Sequence, residues 1–189
     1  GTVTGVQTCA LPISRDVRGL RQVEKSLSEA LKAREHELSA LTELTGTYEV
    51  LVADLESEVA SGQIEIEQLR EGVRLNMSDE ILFALGSAEL GADGEELLKK
   101  LAKQIAAVEY RVEVQGHTDN LKIGRSLAKR YPTNWELAAA RAAQVVRALQ
   151  RFGVNGRRLT AVSYGPYHPV VPNSSPRNRA LNRRIEIRL

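Results

Sequence analysis

The sequence predicts an α/β protein: an α+β sandwich with a small mixed β-sheet and helices on one face, preceded by a long coiled-coil-like helix. Three observations carry this. Residues 15–61 are charged, free of proline and patterned every seven residues; near Gly62 the period drops to two; and past residue 90 helical and strand patterns alternate. The expected divisions are a tail over 1–14, a helical rod over 15–61 and a folded domain over 62–189.

Taken in order, Val3–Ile13 (VTGVQTCALPI) resembles a translated sequencing adapter. The natural chain is therefore expected to begin near Ser14, with its own N-terminus and any anchor missing. Cys9, the single cysteine, falls in this stretch, and one cysteine allows no internal disulfide and no cysteine-based zinc site.

In the rod, one heptad frame places Leu20, Leu27, Arg34, Leu41, Tyr48 and Leu55 at a. Positions d are then Glu24, Leu31, Leu38, Thr45, Val52 and Val59. The mostly apolar seam predicts a helix of roughly 70 Å that pairs with a second copy or acts as a spacer. Gly46 weakens it.

Ile64 and Ile66, then Val73, Leu75 and Met77, predict two short strands joined by a turn at REG (70–72). The run 81–90 (ILFALGSAEL) is expected to be irregular. Asp93 with Glu96 reads as a capping box for a helix burying Leu97, Leu98, Leu101, Ile105 and Val108. Val112 and Val114 form a strand leading into GHTDN (116–120). After a polar loop, Thr133 and Glu136 cap a helix through Leu137, Val145 and Leu149 that ends at Gly153. Two further strands follow, over 159–164 and 185–189.

Charge is divided unevenly. Residues 1–109 hold 11 Lys/Arg and 20 Asp/Glu, whereas 110–189 hold 15 and 4. The basic half suits an anionic partner: nucleic acid, lipid headgroups or a wall polymer. The 4% aromatic content disfavours base stacking.

Catalysis finds little support. Ser163, His117 and Asp119 make a conceivable triad, but AVSYG lacks the glycine two residues before the serine. His117 has no spaced partner for a metal, so a histidine bonded to nearby backbone is expected, and no cofactor or metal is expected. RNRALNRR (177–184) is the best phosphate-gripping segment, yet without a recognition motif it is a minor reading.

The better constellation joins two segments. Asp119 ends a strand, and Arg141 lies two turns inside the helix that follows. With the helix N-terminus, they form a set suited to a zwitterion, Asp119 taking an ammonium while Arg141 and free helix N–H groups take a carboxylate. A plain Asp119–Arg141 salt bridge is the alternative.

GHTDN, NWELAAARAAQVVRAL (134–149), YG…P…N (164–173) and RALNRRIEI (179–187), in this order, resemble the OmpA-like peptidoglycan-binding domain. That domain is shared by outer-membrane anchors, peptidoglycan-associated lipoproteins and the flagellar stator protein MotB. The resemblance covers about 70–189, and YPTNWELAAARA is similar to the stator-like branch. It implies that Asp119 and Arg141 bind the diaminopimelate of the wall's stem peptide. It also implicates Thr118, Asn134 and Leu137, with Asn182 and Arg183 lining or supporting the site. Ala138, Ser163 and Asn178 depart from the family pattern, where Ser, Gly and Gly are usual.

The resemblance implies a non-enzymatic envelope protein in the periplasm of a Gram-negative-type bacterium, associated with the outer membrane. Its expected partners are peptidoglycan, a membrane reached through a missing N-terminal anchor, and a second copy through the coiled coil; nucleic acid is not expected. A motor stator subunit and a nucleic-acid-binding coiled-coil protein are the alternatives.

Overall fold

The seven-residue period forms one helix, α1 (Ile13–Asp54), in the computed structural model, which describes residues 13–70, 72–84 and 86–189. All of the adapter-like stretch before Ile13 lies outside the described residues. The chain divides into two units, the first ending at Glu43 and the second running from Leu44 to Leu189.

In the first unit Leu20, Leu27, Leu31, Leu38 and Leu41 are all exposed along α1. In the second unit the same period is turned inward. Leu44, Leu51 and Leu55 are buried in the core, with Tyr48 packed against them. Residues 44–61, read above as the end of the rod, thus contribute their apolar face to the domain, where it joins the hydrophobic core. Leu55 leaves helical geometry (φ −116°, ψ 20°) and one further turn follows, α2 (Glu56–Ala60). Gly62 then takes φ 72°, a conformation glycine adopts without steric cost, and the chain reverses into the sheet.

The strands β1 (Ile64–Leu69) and β2 (Gly72–Ser78) form the expected hairpin, with Ile64 opposite Met77 and Leu69 opposite Gly72. Among its described residues, the segment 81–90 holds the end of a one-turn helix, α3 (Asp79–Leu82), and a single bridge between Phe83 and Leu90.

In α4 (Ala92–Ala107) Leu97, Leu98, Leu101 and Ile105 are buried as read, and Val108 is half-buried at its end. The capping box does not form. The helix starts before Asp93, from an extended Gly91 without a side-chain cap. Close packing explains the start: a Cβ on Gly94 would lie 2.4 Å from the Leu82 carbonyl oxygen, so this turn is docked on α3 backbone to backbone. Asp93 keeps a favourable place in the first turn, near the positive end of the helix dipole.

After β3 (Val112–His117) the polar loop contains a short turn of helix, α5 (Arg125–Ala128). Next comes α6 (Asn134–Arg151) with the capping box in full: the Thr133 hydroxyl accepts from the Trp135 N–H at 3.2 Å, and Glu136 accepts from the Thr133 N–H at 2.8 Å. Thr133→Ala should therefore lower stability by about 1 kcal/mol, while Thr133→Ser should hold it; thermal unfolding distinguishes the two. Gly153, at φ 105°, ends the helix as read.

The strand β4 (Leu159–Gly165) pairs parallel with β3, and α6 is the crossover between them. A helix not anticipated follows, α7 (Pro176–Asn182). Ser175 caps it by accepting from the Asn178 N–H, and Pro176 occupies its first turn. The last strand, β5 (Arg184–Arg188), inserts between β2 and β3, giving the order β1-β2-β5-β3-β4 with only β3–β4 parallel. Leu75, Met77, Val114, Ile185 and Ile187 are fully buried in one core with α4 and α6. The mixed sheet and its helical cover agree with the sequence.

Candidate functional site

The end of β3, the start of α3, the loop over α5 and the first turns of α6 enclose a cavity of about 510 Å³. Thr118, Asp119, Asn134, Leu137, Arg141 and Arg183 all line it, joined by Asp79, Glu80, Phe83 and Lys122. Asn182 does not. It is fully buried, its Oδ1 accepting from the Val170 and Val171 N–H groups and its Nδ2 donating to the Val171 carbonyl and to Asn173 Oδ1. Asn182 fixes the loop before α7.

Asp119 and Arg141 face one cavity without pairing to each other. Arg141 Nη1 donates to Asp79 Oδ2 at 2.7 Å, Nε and Nη2 reach the Ser87 carbonyl, and the guanidinium lies over the Phe83 ring at 5.0 Å. Asp119 Oδ1 accepts from the Leu121 N–H at 2.9 Å, shaping the loop, and Oδ2 accepts from Arg183 Nη1 at 3.0 Å. Arg183 also donates to Glu80 at 2.6 Å and sits 3.4 Å from Asp79 Oδ1. Burial raises the Asp79 carboxyl above its ordinary value, opposed by the charges of Arg141 and Arg183.

Asn134 Nδ2 donates to the Asp119 and Leu121 carbonyls, tying the loop to the start of α6. The expected helix N–H contribution is reduced, because the capping box already engages the Trp135 N–H. The lining thus carries three carboxylates (Asp79, Glu80, Asp119) against three cations (Lys122, Arg141, Arg183). Thr118 lines it with its hydroxyl turned into the fold, buried and without a partner among the described residues.

Sequence reasoning missed Asp79 and Glu80. The available signal was two acids at the end of a strand, at a helix start. The three departures from the family pattern are accommodated. Ala138 packs under Gly116, the Ser163 hydroxyl donates to the Trp135 carbonyl at 2.9 Å, and Asn178 Nδ2 donates to the Pro172 carbonyl.

The arginines of 177–184 are largely engaged within the fold. Arg179 donates to the Asn173 carbonyl, Arg183 to Asp119 and Glu80, and Arg184 to Glu186. This leaves little for a phosphate backbone.

His117 corrects another expectation. Neither ring nitrogen has a hydrogen-bond partner among the described residues; the ring stacks on Tyr164 (5.1 Å, 12°), with Nε2 3.8 Å from Glu186 Oε1. Burial foremost, with the charge of Arg184 next, holds the imidazole down at about 4 instead of 6.5. The unfolded chain therefore takes up this proton first, and stability falls as the pH drops from 6.5 towards 4. Between pH 7.5 and 5 the wild type should lose about 2 kcal/mol more than His117→Gln in urea unfolding. The depressed carboxyl of Glu186 contributes only at lower pH, below the ordinary glutamate range.

Comparison with known proteins agrees with this architecture. "Motility protein B" of Helicobacter pylori is 34% identical over 125 residues, covering 65% of this chain and 48% of that protein. The chain therefore spans about half the length of that relative. Among solved structures, a putative MotB-like protein from Desulfovibrio vulgaris superposes with a TM-score of 0.73 at 29% identity, covering 80% of this chain and 93% of the other. The cell wall anchor of the T6SS from Pseudomonas aeruginosa gives 0.69 at 32% identity, covering 74% and 95%. Residues 82–183, more than half of the chain, match the OmpA family, and the chain belongs to that family.

Proposed function

We propose that this chain binds peptidoglycan non-covalently, without catalysis, and tethers a membrane of the cell envelope to the wall. The ligand is the diaminopimelate of the stem peptide, whose side chain ends in both an ammonium and a carboxylate. The observation that carries this is the balanced lining: a cavity with three acids and three bases fits a zwitterion better than a simple anion. The similarity to a cell wall anchor supports it.

Asp119 takes the ammonium. Arg183, whose side chain is 28% exposed against 8% for Arg141, is the cation free to exchange Asp119 for the ligand's carboxylate. Arg141, held by Asp79 and the Ser87 carbonyl, retains two N–H donors to add to that grip. Thr118, Asn134 and Leu137 shape the wall.

The protein acts in the periplasm, on the outer-membrane side. It reaches the membrane through an anchor N-terminal to the described residues, among which no helix is long and apolar enough to cross one. The exposed leucines of α1 pair with a second copy. The similarity to motility protein B favours a second reading, a motor stator subunit. That reading requires a membrane helix carrying an ion-binding acid, and restored motility in a stator-deficient strain would support it.

Pull-down on purified sacculi tests the binding. Wild type should be retained, Asp119→Ala and Arg141→Ala mostly lost; equal retention of all three would overturn the zwitterion grip.

A further inference from the structure

Beside the cavity stands an aromatic surface that the grip does not use. Trp135, second residue of α6, is 45% exposed and Tyr167 is 68% exposed; their rings stack at 5.4 Å with 29° between planes. A tryptophan and a tyrosine placed so openly leave a large apolar area in water, which an isolated fold gains nothing by keeping.

The platform is held from below. Gly165 has φ 53°, and a Cβ there would come 3.3 Å from the Trp135 ring, so the indole rests on the glycine backbone. The Ser163 hydroxyl holds the Trp135 carbonyl at 2.9 Å. Two backbone links join this surface to residues of the cavity. Asn134, adjacent to Trp135, lines it, and the Gly165 carbonyl accepts from the N–H of Thr118, which lines it too.

We propose that Trp135 and Tyr167 form a sugar-stacking subsite that takes a pyranose ring of the wall's glycan strand, beside the stem peptide held in the cavity. This rests on the peptidoglycan reading above. Stem peptides hang from the amino sugars of that strand, so a peptide held under Asp119 brings pyranose rings to the protein surface near its mouth. One face of a pyranose presents a patch of C–H groups carrying partial positive charge, which pairs with the electron-rich face of an aromatic ring. The stacked pair offers such a face without reorganisation, and sugar hydroxyls at the ring rim stay in water.

Trp135 is the only tryptophan of the chain, so its fluorescence reports this surface alone. The full chain would be titrated with three probes: a peptide-free tetrasaccharide of alternating N-acetylglucosamine and N-acetylmuramic acid, the free diaminopimelate-containing stem tripeptide, and the disaccharide bearing that tripeptide. The peptide-bearing disaccharide should bind about 10-fold more tightly than the free tripeptide and shift the tryptophan emission to the blue.

Trp135→Ala and Tyr167→Ala should reduce the disaccharide conjugate to the affinity of the free tripeptide, and Trp135→Phe should retain most of the gain. Free tripeptide binding should be unchanged in all three variants, which also shows that they fold. Equal affinity for tripeptide and conjugate in the wild type would overturn the sugar subsite and leave the peptide grip standing. Binding of the sugar probes with no binding of the tripeptide would overturn the grip and support the subsite. If Trp135→Ala alters self-association and not the conjugate's affinity, the platform is a contact between copies and the proposal fails.

Discussion

Replacing Arg141 with alanine should remove most of the retention on sacculi and lower stability by about 3–5 kcal/mol, the cost of stranding a buried charge. The reason lies in the pairing found at the cavity floor. Asp79 and Arg141 have side chains only 8% exposed and meet at 2.7 Å. Removing the guanidinium leaves the Asp79 carboxylate buried beside Arg183 alone, at 3.4 Å. Urea unfolding would measure the loss. The double variant Asp79→Ala with Arg141→Ala separates the two roles of the arginine. It should recover part of the stability, since no buried carboxylate remains unpaired, yet recover no binding. If the double variant restored retention on sacculi, Arg141 would act only as the partner of Asp79.

A comparably large effect is expected far from any charge, at Gly116. A Cβ there would lie 2.2 Å from the Ala138 carbonyl oxygen and 2.8 Å from its carbon, so β3 and α6 touch backbone to backbone. Neither strand nor helix can yield as a flexible side chain would. Gly116→Ala should therefore cost about 3 kcal/mol by overpacking, read as a lower urea midpoint. It should also push the first turns of α6 away from β3, displacing Leu137 and Arg141 from the cavity and weakening binding even where the protein stays folded. Gly124→Ala is the control, because a Cβ there meets nothing within 4 Å; unchanged stability is expected. A Gly116→Ala protein as stable as wild type would contradict the close approach.

These two positions show what could be read from the chain and what could not. Local pattern located the strands, because alternation at Ile64–Ile66, Val73–Met77 and Ile185–Leu189 reports a half-buried sheet directly. The start of α6 was legible in Thr133 and Glu136, since a capping box is a contact between residues three apart. Asp93 and Glu96 carry the same signature but failed, because docking of Gly94 against Leu82 set the helix start instead. The rod was legible as a helix, yet periodicity alone does not tell a seam covered by a partner from one covered by the chain's own core. Leu44, Leu51 and Leu55 belong to the second kind.

At the site, Asp119 and Arg141 were read as facing one ligand, and both line the same cavity. Their counter-ions were not legible. Asp79 is 62 residues from Arg141, and Arg183 is 64 from Asp119, so only the insertion of β5 between β2 and β3 brings them together. His117, the residue of GHTDN that first suggests chemistry, is buried against Tyr164 and is absent from the cavity lining.

Asp119 and the arginines around it are proposed to hold a zwitterion. Calorimetric titration of the full chain with two stem tripeptides tests that most directly: one ending in meso-diaminopimelate, the other in lysine, which keeps the side-chain ammonium and lacks the distal carboxylate. The diaminopimelate peptide should bind about 10- to 100-fold more tightly than the lysine peptide, the loss expected for charge-assisted bonds to one carboxylate. Asp119→Asn should weaken the diaminopimelate peptide by a similar factor. Equal affinity for the two peptides, or an Asp119→Asn protein that binds as the wild type does, would contradict the account.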